Sequence, residues 1–389
     1  MKKSRIAFYI SSLDFGGAQR ALVNTCNFLS KKEYDLTIII NENKINYESE
    51  CRIISLNLNP QKKASKKILQ FLKKIIKISQ IKKTNAYDLF ISYLPSQNVI
   101  NILTKKHGKT IISVRNHMTE RLKLNRSLFL VFSLKYIYKY ADKISTVTQL
   151  IKHDLINNYK LPSQKMIVIP NYYDLKAINR DARKKVNLLS TLLDNKITLV
   201  NIGSLGNQKG QWHLLRIFRQ LLKKINNIHL IIIGSGQLEK SYKNYVLNHS
   251  MTNDVTFLKN VTNPYAYLNK SDIYIHTSLY EGFPNAIAEA MACKLPIISS
   301  YFKSGLEELL EYDDLDYEFR EVTSKLEKEM NFELLGLTKS EKELMESLEK
   351  IISNNTLRKK MSELSYKRIQ KYDSSVGAER WAAIFDLMT

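Results

Sequence analysis

The chain has 389 residues, of which 44% are hydrophobic and 10% are aromatic, and its formal net charge is +23. This length suits two or three domains, and the apolar content excludes a disordered polyelectrolyte, which cannot bury a core. Three cysteines lie far apart without CxxC spacing, which argues against a disulfide framework or a structural zinc site and fits a reducing cytoplasm.

The first predicted element is a buried strand at residues 6–10. Two lysines precede this apolar run, but the run is too short for the apolar region of a signal peptide, and no small-residue cleavage site follows it. Elsewhere no apolar run approaches the roughly 18 residues that span a bilayer, so we expect no membrane-spanning helix.

A glycine pair, Gly16 and Gly17, separates this strand from a helix expected near residues 18–29. Glycines let the backbone turn tightly and approach a ligand, and a helix N-terminus attracts an anion. A binding loop and an ordinary strand–helix turn are both compatible with this pattern.

The excess positive charge lies entirely in the first half of the chain. Residues 1–200 contain 36 basic and 13 acidic side chains, whereas residues 201–389 contain 24 of each. The two halves are therefore expected to meet different partners.

Two segments concentrate this charge. Residues 61–83 contain nine lysines and no acid, and residues 121–143 interleave basic side chains with leucine, phenylalanine and tyrosine. Basic amphipathic segments can lie on an anionic membrane, and the alternative is a helix packed on a sheet with its lysine face in water. The apolar positions at helical spacing in the first segment are Ile68, Leu69, Leu72, Ile75 and Ile76.

Strand-like runs alternate with helical or loop segments in both halves, which predicts parallel, doubly wound α/β sheets. In the first half, further strands are expected at residues 36–40, 89–93, 110–114, 144–147 and 166–169. A polar stretch, residues 172–195, is predicted to be a linker. In the second half, strands are expected at residues 197–202, 230–233, 255–258, 273–277 and 296–299. Helices are expected near residues 212–224, 285–292, 341–353, 356–371 and 376–387.

A glycine-rich loop, Gly203 to Gly210, follows the first strand of the second half and carries Lys209 just before a predicted helix. Glycine backbone with a lysine at a helix start suits a diphosphate. The loop is not a Walker A motif, because Lys209 is followed by glycine rather than by serine or threonine. Another turn, at Gly234, is weak evidence alone.

Two glutamates, Glu281 and Glu289, flank the predicted start of the helix at residues 285–292. The backbone N–H groups of residues 283–286 lie at this start, where partial positive charge accumulates. Carboxylates on both sides of an anion-binding helix start suit a ligand with phosphate between two sets of hydroxyls. A nucleotide sugar is such a ligand.

The segment from Glu281 to Glu289 resembles the Glu-x7-Glu motif of retaining glycosyltransferases with the GT-B fold, particularly glycosyltransferase family 4. Residues 201–218 and 258–265 are also similar to that family, and the Gly16–Gly17 loop resembles that of bacterial members that build surface polysaccharides and lipid-linked oligosaccharides. The resemblance implies an α/β GT-B fold of two Rossmann-like domains facing a cleft. These would be residues 1–180, which bind the acceptor and the membrane, and residues 190–372, which bind the nucleotide sugar, with a final helix at 373–389 packing back on the first domain.

The same resemblance implies roles for individual residues. Glu281 would hold hydroxyls of the donor sugar, Glu289 would bind the ribose and Lys209 would bind the diphosphate. His117, or one of the two residues before it, would contact the donor sugar and the reacting centre. The catalytic candidates are therefore Glu281, His117 and Lys209. The donor-binding candidates are Gly16, Gly17, Gly203, Ser204, Gly234, Asn260, Val261, Phe283, Pro284, Asn285 and Glu289.

The sequence also departs from the family pattern. Ser204 stands where many members have arginine, so Lys209 lacks that cationic partner on the diphosphate. The acidic segment 311–333 is divergent and is assigned no site residues. No Asp-x-Asp metal site is evident near the motifs, because the cluster at Asp313, Asp314 and Asp316 lies outside them, so we expect neither a metal ion nor another cofactor.

The sequence thus predicts a cytoplasmic glycosyltransferase, peripheral on the inner face of the plasma membrane and bound to its anionic surface. It would move a hexose or N-acetylhexosamine, with retention, from a nucleotide sugar (UDP by resemblance) to a lipid-linked saccharide acceptor. The product would be a surface polysaccharide such as capsule or lipopolysaccharide, and no nucleic-acid partner is expected. The alternative is a basic nucleic-acid-binding protein or a membrane scaffold without catalysis; Glu281 and Glu289 argue against the former, and the latter needs no Glu281.

Overall fold

The computed structural model describes residues 3–14, 16–29, 34–61, 63–124, 126–186, 195–259, 261–302, 305–310 and 322–388. The chain divides into two compact units. One consists of Met1–Asp174 and Tyr372–Thr389, and the other consists of Leu175–Lys371. Each unit contains a parallel sheet with helices, as the alternating pattern predicts.

The first unit contains seven strands, several of them nearly continuous runs of buried isoleucine, leucine and phenylalanine. They are β1 (Arg5–Ile10), β2 (Asp35–Ile40), β3 (Arg52–Ser55), β4 (Leu89–Tyr93), β5 (Lys109–Val114), β6 (Lys143–Thr146) and β7 (Met166–Val168). Their order in the sheet is β3-β2-β1-β4-β5-β6-β7, and all neighbours are parallel. The strand order reverses between β1 and β4, which is the switch point of a doubly wound sheet.

Helices connect most of these strands, although the described connection from β2 to β3 is a loop. They are α1 (Gly17–Leu29), α2 (Ala64–Asn85), α3 (Pro95–Leu103), α4 (Met118–Leu124), α5 (Leu128–Phe132) and α6 (Gln149–Tyr159). A π-helical turn, Ser133–Ile137, continues directly from α5.

Helix α2 corrects the expectation about its apolar face. Phe71, Ile75 and Ile78 pack in a cluster against the sheet, whereas Ile68, Leu69, Leu72 and Ile76 are between 51% and 65% exposed. The five apolar residues that were predicted to share one face therefore lie on two faces of the helix. Ile75 packs against the sheet, and the other four are exposed.

The lysines of α2 also differ from one another. Lys82 is fully buried, and its ammonium donates to the carbonyl and side-chain oxygens of Asn101 at 3.1 and 2.7 Å. Burial lowers the pKa of Lys82 to about 7. This lysine therefore holds α2 against α3 rather than contributing to the basic surface.

The second unit contains a six-stranded sheet. Its strands are β8 (Ile197–Ile202), β9 (Ile228–Ile233), β10 (Val255–Leu258), β11 (Ile273–His276), β12 (Ile297–Ser300) and β13 (Val322–Thr323). They are arranged in the order β10-β9-β8-β11-β12-β13, again with parallel neighbours. The switch point lies between β8 and β11.

The helices of this unit begin inside the predicted linker. They are α7 (Leu175–Ala182), α8 (Gln211–Leu222), α9 (Glu239–Asn248), α10 (Tyr265–Leu268), α11 (Asn285–Ala292), α12 (Leu306–Leu310), α13 (Lys339–Ser353) and α14 (Asn355–Ile369). Leu175, Ile178 and Ala182 of α7 are buried, so the linker prediction is wrong for this part. The division between the units accordingly lies after Asp174 rather than at residue 180.

The last helix, α15 (Ser374–Met388), returns to the first unit. Trp381 and Phe385 lie in the same hydrophobic cluster as Phe8 and Leu29, and the rings of Trp381 and Phe8 meet edge-on with centroids 6.3 Å apart. The core of the first unit is therefore built from both ends of the chain.

None of the helices in the described parts of the chain has both the length and the apolar character needed to cross a bilayer. Helix α2 has 22 residues, but lysines interrupt it throughout.

Candidate active site

Two loops meet at the switch point of the second sheet. One follows β8 and contains Gly203 to Gly210, and the other follows β11 and contains Thr277 to Glu281. The Thr277 hydroxyl donates to the carbonyl oxygen of Lys209 at 3.0 Å, and the backbone N–H of Leu279 donates to the carbonyl oxygen of Gln208 at 2.9 Å. The two motifs singled out in the sequence are thus joined in space.

Glycines allow these loops to come this close. Gly210 has φ +59°, and a Cβ there would overlap the carbonyl oxygen of Thr277. Gly234, with φ +154°, leaves no room for a Cβ against the carbonyl oxygen of Gly203. At both positions, any other residue would strain the backbone and push neighbouring segments apart.

Lys209 and Glu281 form an ion pair across the two loops. The carboxylate also accepts hydrogen bonds from the Ser278 hydroxyl at 2.8 Å and from the Gln208 amide at 3.3 Å. The carbon stem of Lys209 lies over Gly203, where a Cβ would approach it to 3.1 Å. Two residues predicted to bind different parts of a donor therefore hold each other in this structure.

The electrostatics of Glu281 follow from these neighbours. Burial raises the pKa of this carboxyl, which is 9% exposed, but the Lys209 ammonium and the His276 imidazole outweigh that effect and lower the pKa to about 2. Glu281 is therefore ionised at neutral pH, and its charge is available to hydroxyl or cationic groups.

Sequence reasoning missed the partners of Glu281. Gln208 lies inside the glycine-rich loop, and Ser278 lies between the predicted strand at residues 273–277 and Glu281, but neither received a role. His276 ends strand β11, and its Nε2 lies 3.6 Å from Oε1 of Glu281. The sequence did contain a signal for this residue, because a histidine stands in an apolar strand run that leads directly into the motif.

The loop after Glu281 leads into α11. Phe283 and Pro284 are buried, Asn285 is half-buried, and the backbone N–H of Asn285 donates to the carbonyl oxygen of Phe283 at 2.9 Å. Glu289 is only 2% exposed, and together with burial it raises the pKa of the Cys293 thiol to about 12. The second glutamate of the motif thus lies inside the helix layer of this structure.

The remaining donor-binding candidates are less informative. Ser204 is exposed, and its carbonyl oxygen accepts from the Gln211 amide at 3.3 Å. Val261 is half-buried after β10. Asn260 lies outside the described residues, as does the acidic cluster at residues 313–316.

In the first unit, His117 follows the carboxyl end of β5 and is buried. Its Nδ1 lies 3.3 Å from Oδ2 of Asp154, and the same carboxylate accepts the backbone N–H groups of Met118 and Thr119 at 2.8 and 3.1 Å. Asp154, which the sequence did not single out, therefore fixes both the imidazole and the first turn of α4.

The alternatives and neighbours of His117 have contacts of their own. The Arg115 guanidinium donates to the side-chain oxygen of Asn171 and lies 5.0 Å from the ring centroid of Tyr93. Gly17 begins α1 and is exposed, and the backbone N–H of Gly16 donates to the Tyr47 hydroxyl at 3.2 Å. Arg115 is thus engaged in packing, and the role implied for His117 or one of its two neighbours stays a prediction.

Among the described residues, no group of three or more histidine, cysteine, aspartate or glutamate side chains is placed to hold a metal ion. The cationic group at the described site is the Lys209 ammonium, which lies beside Glu281.

Two family models match the chain and together cover both units. Residues 15–177 match Glycosyltransferase Family 4, and residues 189–368 match Glycosyl transferases group 1. The chain belongs to glycosyltransferase family 4. Lys209, Glu281 and Glu289 therefore lie in the matched region of a glycosyltransferase, which confirms the family resemblance seen in the sequence.

Relatives match this glycosyltransferase over most of its length. An uncharacterized glycosyltransferase of Methanocaldococcus jannaschii is 29% identical over 340 residues, covering 82% of this chain and 84% of that protein. A second relative, from Campylobacter jejuni, is N-acetylgalactosamine-N,N'-diacetylbacillosaminyl-diphospho-undecaprenol 4-alpha-N-acetylgalactosaminyltransferase. It is 25% identical and covers 95% of this chain and 96% of its own.

The fold is likewise shared with solved structures. The crystal structure of the Anabaena protein HepE in complex with UDP and glucose superimposes with a TM-score of 0.78 at 15% identity, covering 98% of this chain and 99% of that one. This likeness and the two doubly wound sheets confirm the predicted GT-B fold.

Proposed function

We propose that this family 4 glycosyltransferase moves a hexosyl or N-acetylhexosaminyl group from a UDP sugar to a lipid-linked saccharide, with retention of configuration. The observation that carries this proposal is the pairing of Lys209 with Glu281 at the switch point of the second sheet. An ammonium suits a diphosphate, and an ionised carboxylate suits sugar hydroxyls. Ligands of doubly wound sheets bind at this edge.

In this proposal the donor changes the partner of Lys209. The diphosphate draws the ammonium away from Glu281, and the carboxylate then accepts hydrogen bonds from the sugar hydroxyls. Lys209 stabilises the charge that develops on the leaving diphosphate, and such stabilisation is commonly the largest part of catalysis. Glu281 orients the sugar, and His117, held by Asp154, is the catalytic candidate that the family resemblance implies for the first unit.

Retention follows in this scheme from attack on the face that the diphosphate leaves. The C–O bond to the diphosphate breaks, the acceptor oxygen bonds to the same face of the sugar carbon, and the departing phosphate takes the acceptor proton. In this scheme the Glu281 carboxylate accepts hydrogen bonds from the sugar hydroxyls, from Ser278 and from Gln208, so it is not assigned the role of nucleophile. The transfer then needs positioning and charge stabilisation from the chain.

We also propose a lipid-linked acceptor and a role in surface polysaccharide biosynthesis, such as capsule or lipopolysaccharide. Support comes from the Campylobacter relative, whose name specifies an acceptor linked through a diphosphate to undecaprenol. The first unit, which carries most of the excess positive charge of the chain, suits the phosphate groups of such an acceptor.

A surface of the first unit supports binding to an anionic membrane at the inner face of the plasma membrane. We define the apolar-basic surface as the exposed residues of α2 and of the α5–π-helix segment. Phe71 of α2 and Phe129 of α5 meet edge-on with ring centroids 6.2 Å apart, so the two segments are contiguous. The exposed apolar members are Ile68, Leu69, Leu72, Ile76, Leu128, Phe129, Phe132 and Tyr136.

Basic side chains accompany these apolar groups. Lys66, Lys67, Lys73, Lys77 and Lys83 on α2 are exposed. Apolar side chains can enter the headgroup region while lysines pair with anionic lipids, at roughly 1 kcal/mol per basic residue. An anionic bilayer is the partner whose chemistry matches both the exposed apolar side chains and the exposed lysines of this surface.

Liposome flotation tests this surface. Replacing Lys66, Lys67, Lys73 and Lys83 by glutamine is expected to weaken binding to vesicles of phosphatidylglycerol and phosphatidylethanolamine by tenfold or more. Lys77 is kept, because its ammonium donates to the carbonyl oxygen of Leu56 at 2.9 Å. Lys82 must be kept, because it is buried against Asn101. The affinity for UDP should stay unchanged in this variant, which is the control. If vesicle binding were also unchanged, the proposal of membrane binding would be refuted.

A donor screen tests the transfer itself. Purified protein is offered UDP-, GDP- and ADP-linked glucose, together with the UDP-linked forms of galactose and the N-acetylhexosamines. Donor hydrolysis is followed in each case, and the stereochemistry of the released sugar is read by NMR. We expect one UDP sugar to be consumed with retention. Binding of oligonucleotides instead, with a steep salt dependence and no donor turnover, would overturn the assignment.

We further propose that the transfer needs no metal ion, because Lys209 can neutralise the diphosphate. Turnover of the preferred donor should persist in excess EDTA. A loss that Mg²⁺ or Mn²⁺ restores would show that a cation shares this task.

A further inference from the structure

One buried imidazole beside the site has no role in the proposed function. His276, the last residue of β11, is 1% exposed, and its ring lies between those of Tyr274 and Phe302, with centroid distances of 6.0 and 5.4 Å. Its Nδ1 lies 3.2 Å from the Tyr274 hydroxyl. Its Nε2 has no hydrogen-bond partner within the described residues and lies 3.6 Å from Oε1 of Glu281.

The surroundings select one tautomer of this imidazole. Burial, reinforced by Glu281 and Glu289, raises the pKa of Tyr274 well above its ordinary value, so the phenol keeps its proton. Burial likewise lowers the pKa of His276, so the imidazole is neutral at neutral pH. Nε2 faces the ionised Glu281 carboxylate, which can only accept, so the single ring proton is favoured on Nε2. The Tyr274 hydroxyl can then donate to Nδ1.

We propose that His276 is a positioning residue whose Nε2–H holds the Glu281 carboxylate in place when Lys209 moves to the donor diphosphate. The inference rests on the proposed function, because it assumes that Lys209 and Glu281 act on different parts of the donor. It adds a second buried strand residue, Tyr274, whose hydroxyl can donate to Nδ1 in this tautomer.

The geometry explains why such a support is needed. Oε1 of Glu281 is shared between the Lys209 ammonium and the Ser278 hydroxyl. When Lys209 is drawn away, this oxygen loses its strongest hydrogen-bond donor. A buried carboxylate oxygen without a donor raises the free energy of the site. At 3.6 Å the imidazole is just beyond hydrogen-bond distance, so a small rotation of the carboxylate completes the contact.

Three substitutions separate this role from simple packing. His276→Gln can place an amide N–H close to the position of Nε2, whereas His276→Asn reaches only the position of Nδ1, and His276→Leu keeps the volume but has no donor. We expect the leucine and asparagine variants to lower kcat for the preferred UDP sugar by about tenfold or more, and the glutamine variant to stay within about threefold. The Kd for UDP should rise in the leucine and asparagine variants and stay close to the wild-type value in the glutamine variant, because the diphosphate of UDP also draws Lys209 away from Glu281.

A matched control is His229, a second buried histidine in the same sheet, whose Nε2 bonds to the Thr256 hydroxyl at 2.9 Å. His229→Gln should leave kcat unchanged. Equal kcat in the leucine and wild-type proteins, or equal losses in the glutamine and leucine variants, would overturn the positioning role while leaving the proposed transfer intact.

A spectroscopic measurement tests the proposal without turnover. In ¹⁵N-histidine-labelled protein at neutral pH, the resonances that disappear in His276→Gln should have the shifts of a neutral Nε2–H tautomer, and Glu281→Gln should move the Nε2 signal. A charged ring or an Nδ1–H tautomer would overturn the proposal. Failure of the donor screen with the expected tautomer present would instead refute the proposed function.

Discussion

Two buried carboxylates in the second unit have similar electrostatics and different surroundings. Glu281 and Glu341 each lie beside a histidine and a cationic side chain, and in each case the neighbours outweigh burial and lower the carboxyl pKa to about 2. Glu341 is held at Oε1 by His213 at 2.7 Å and by Arg216 at 2.9 Å. A low pKa alone therefore does not distinguish a functional carboxylate from a structural one.

The partners make the distinction. Arg216 binds both oxygens of Glu341 and also the carbonyl oxygens of Leu334 and Gly336, so four of the five N–H groups of its guanidinium are engaged. The backbone N–H of Thr338 completes a capping box at the start of α13. Lys209, in contrast, reaches Glu281 from a glycine-rich loop and remains 19% exposed. A ligand can exchange with a flexible ammonium but not with a guanidinium fixed by four acceptors.

The largest expected effect is on stability at Glu341. Glu341→Gln leaves the buried Arg216 without its carboxylate and should lower the free energy of unfolding by about 3–5 kcal/mol. Urea denaturation measures this loss. Glu349, whose exposed pair with Lys224 spans 2.6 Å, gives the control, since Glu349→Gln should cost at most about 0.5 kcal/mol. Equal losses of unfolding free energy in the two variants would refute the structural role assigned to Glu341.

The next effect is on turnover at the other carboxylate. Glu281→Gln and Lys209→Ala should each lower donor turnover by roughly 10²-fold or more, because each removes a charged contact to the transition state. Thermal unfolding should change much less than in Glu341→Gln. Full activity in either variant would refute the assignment of this pair.

The smallest expected effect is on how the free energy of unfolding falls at acid pH. A carboxyl whose pKa falls from 4.5 to about 2 on folding contributes stability that is present above pH 4.5 and is lost as the pH falls through about 2. Each group should contribute roughly 1–3 kcal/mol to this loss. Glu341→Gln should therefore give a shallower acid limb in a plot of unfolding free energy against pH. An unchanged limb would mean that Glu341 is not ionised in the folded chain as its contacts require.

The fold could be predicted from the sequence wherever the strands are buried on both faces. The runs at β1, β4 and β8 are nearly pure apolar segments, and their predicted bounds match the structure within one residue. Strand β3 (Arg52–Ser55) was missed, because an edge strand is short and mixes charged with apolar residues. Helix α7 was missed, because its buried residues are few and lie within a polar stretch.

The site was predictable as a set of loops but not as a set of contacts. The spacing of Glu281 and Glu289 identified the family, but no spacing rule indicates that Lys209 pairs with Glu281 before any donor is bound. Asp154 and His276 were missed for the same reason, because each acts on a residue that is distant in sequence or lies across a turn. The burial of Glu289 also depends on how α11 packs.

The position of α15 bears on how the chain folds as it leaves the ribosome. Trp381 and Phe385 belong to the core around Phe8, so the first unit lacks part of its core until almost the whole chain has been synthesised. The second unit, residues 175–371, has its complete sequence available earlier. Folding during synthesis would therefore finish in the reverse of the usual amino-to-carboxyl order, with the second unit completed first.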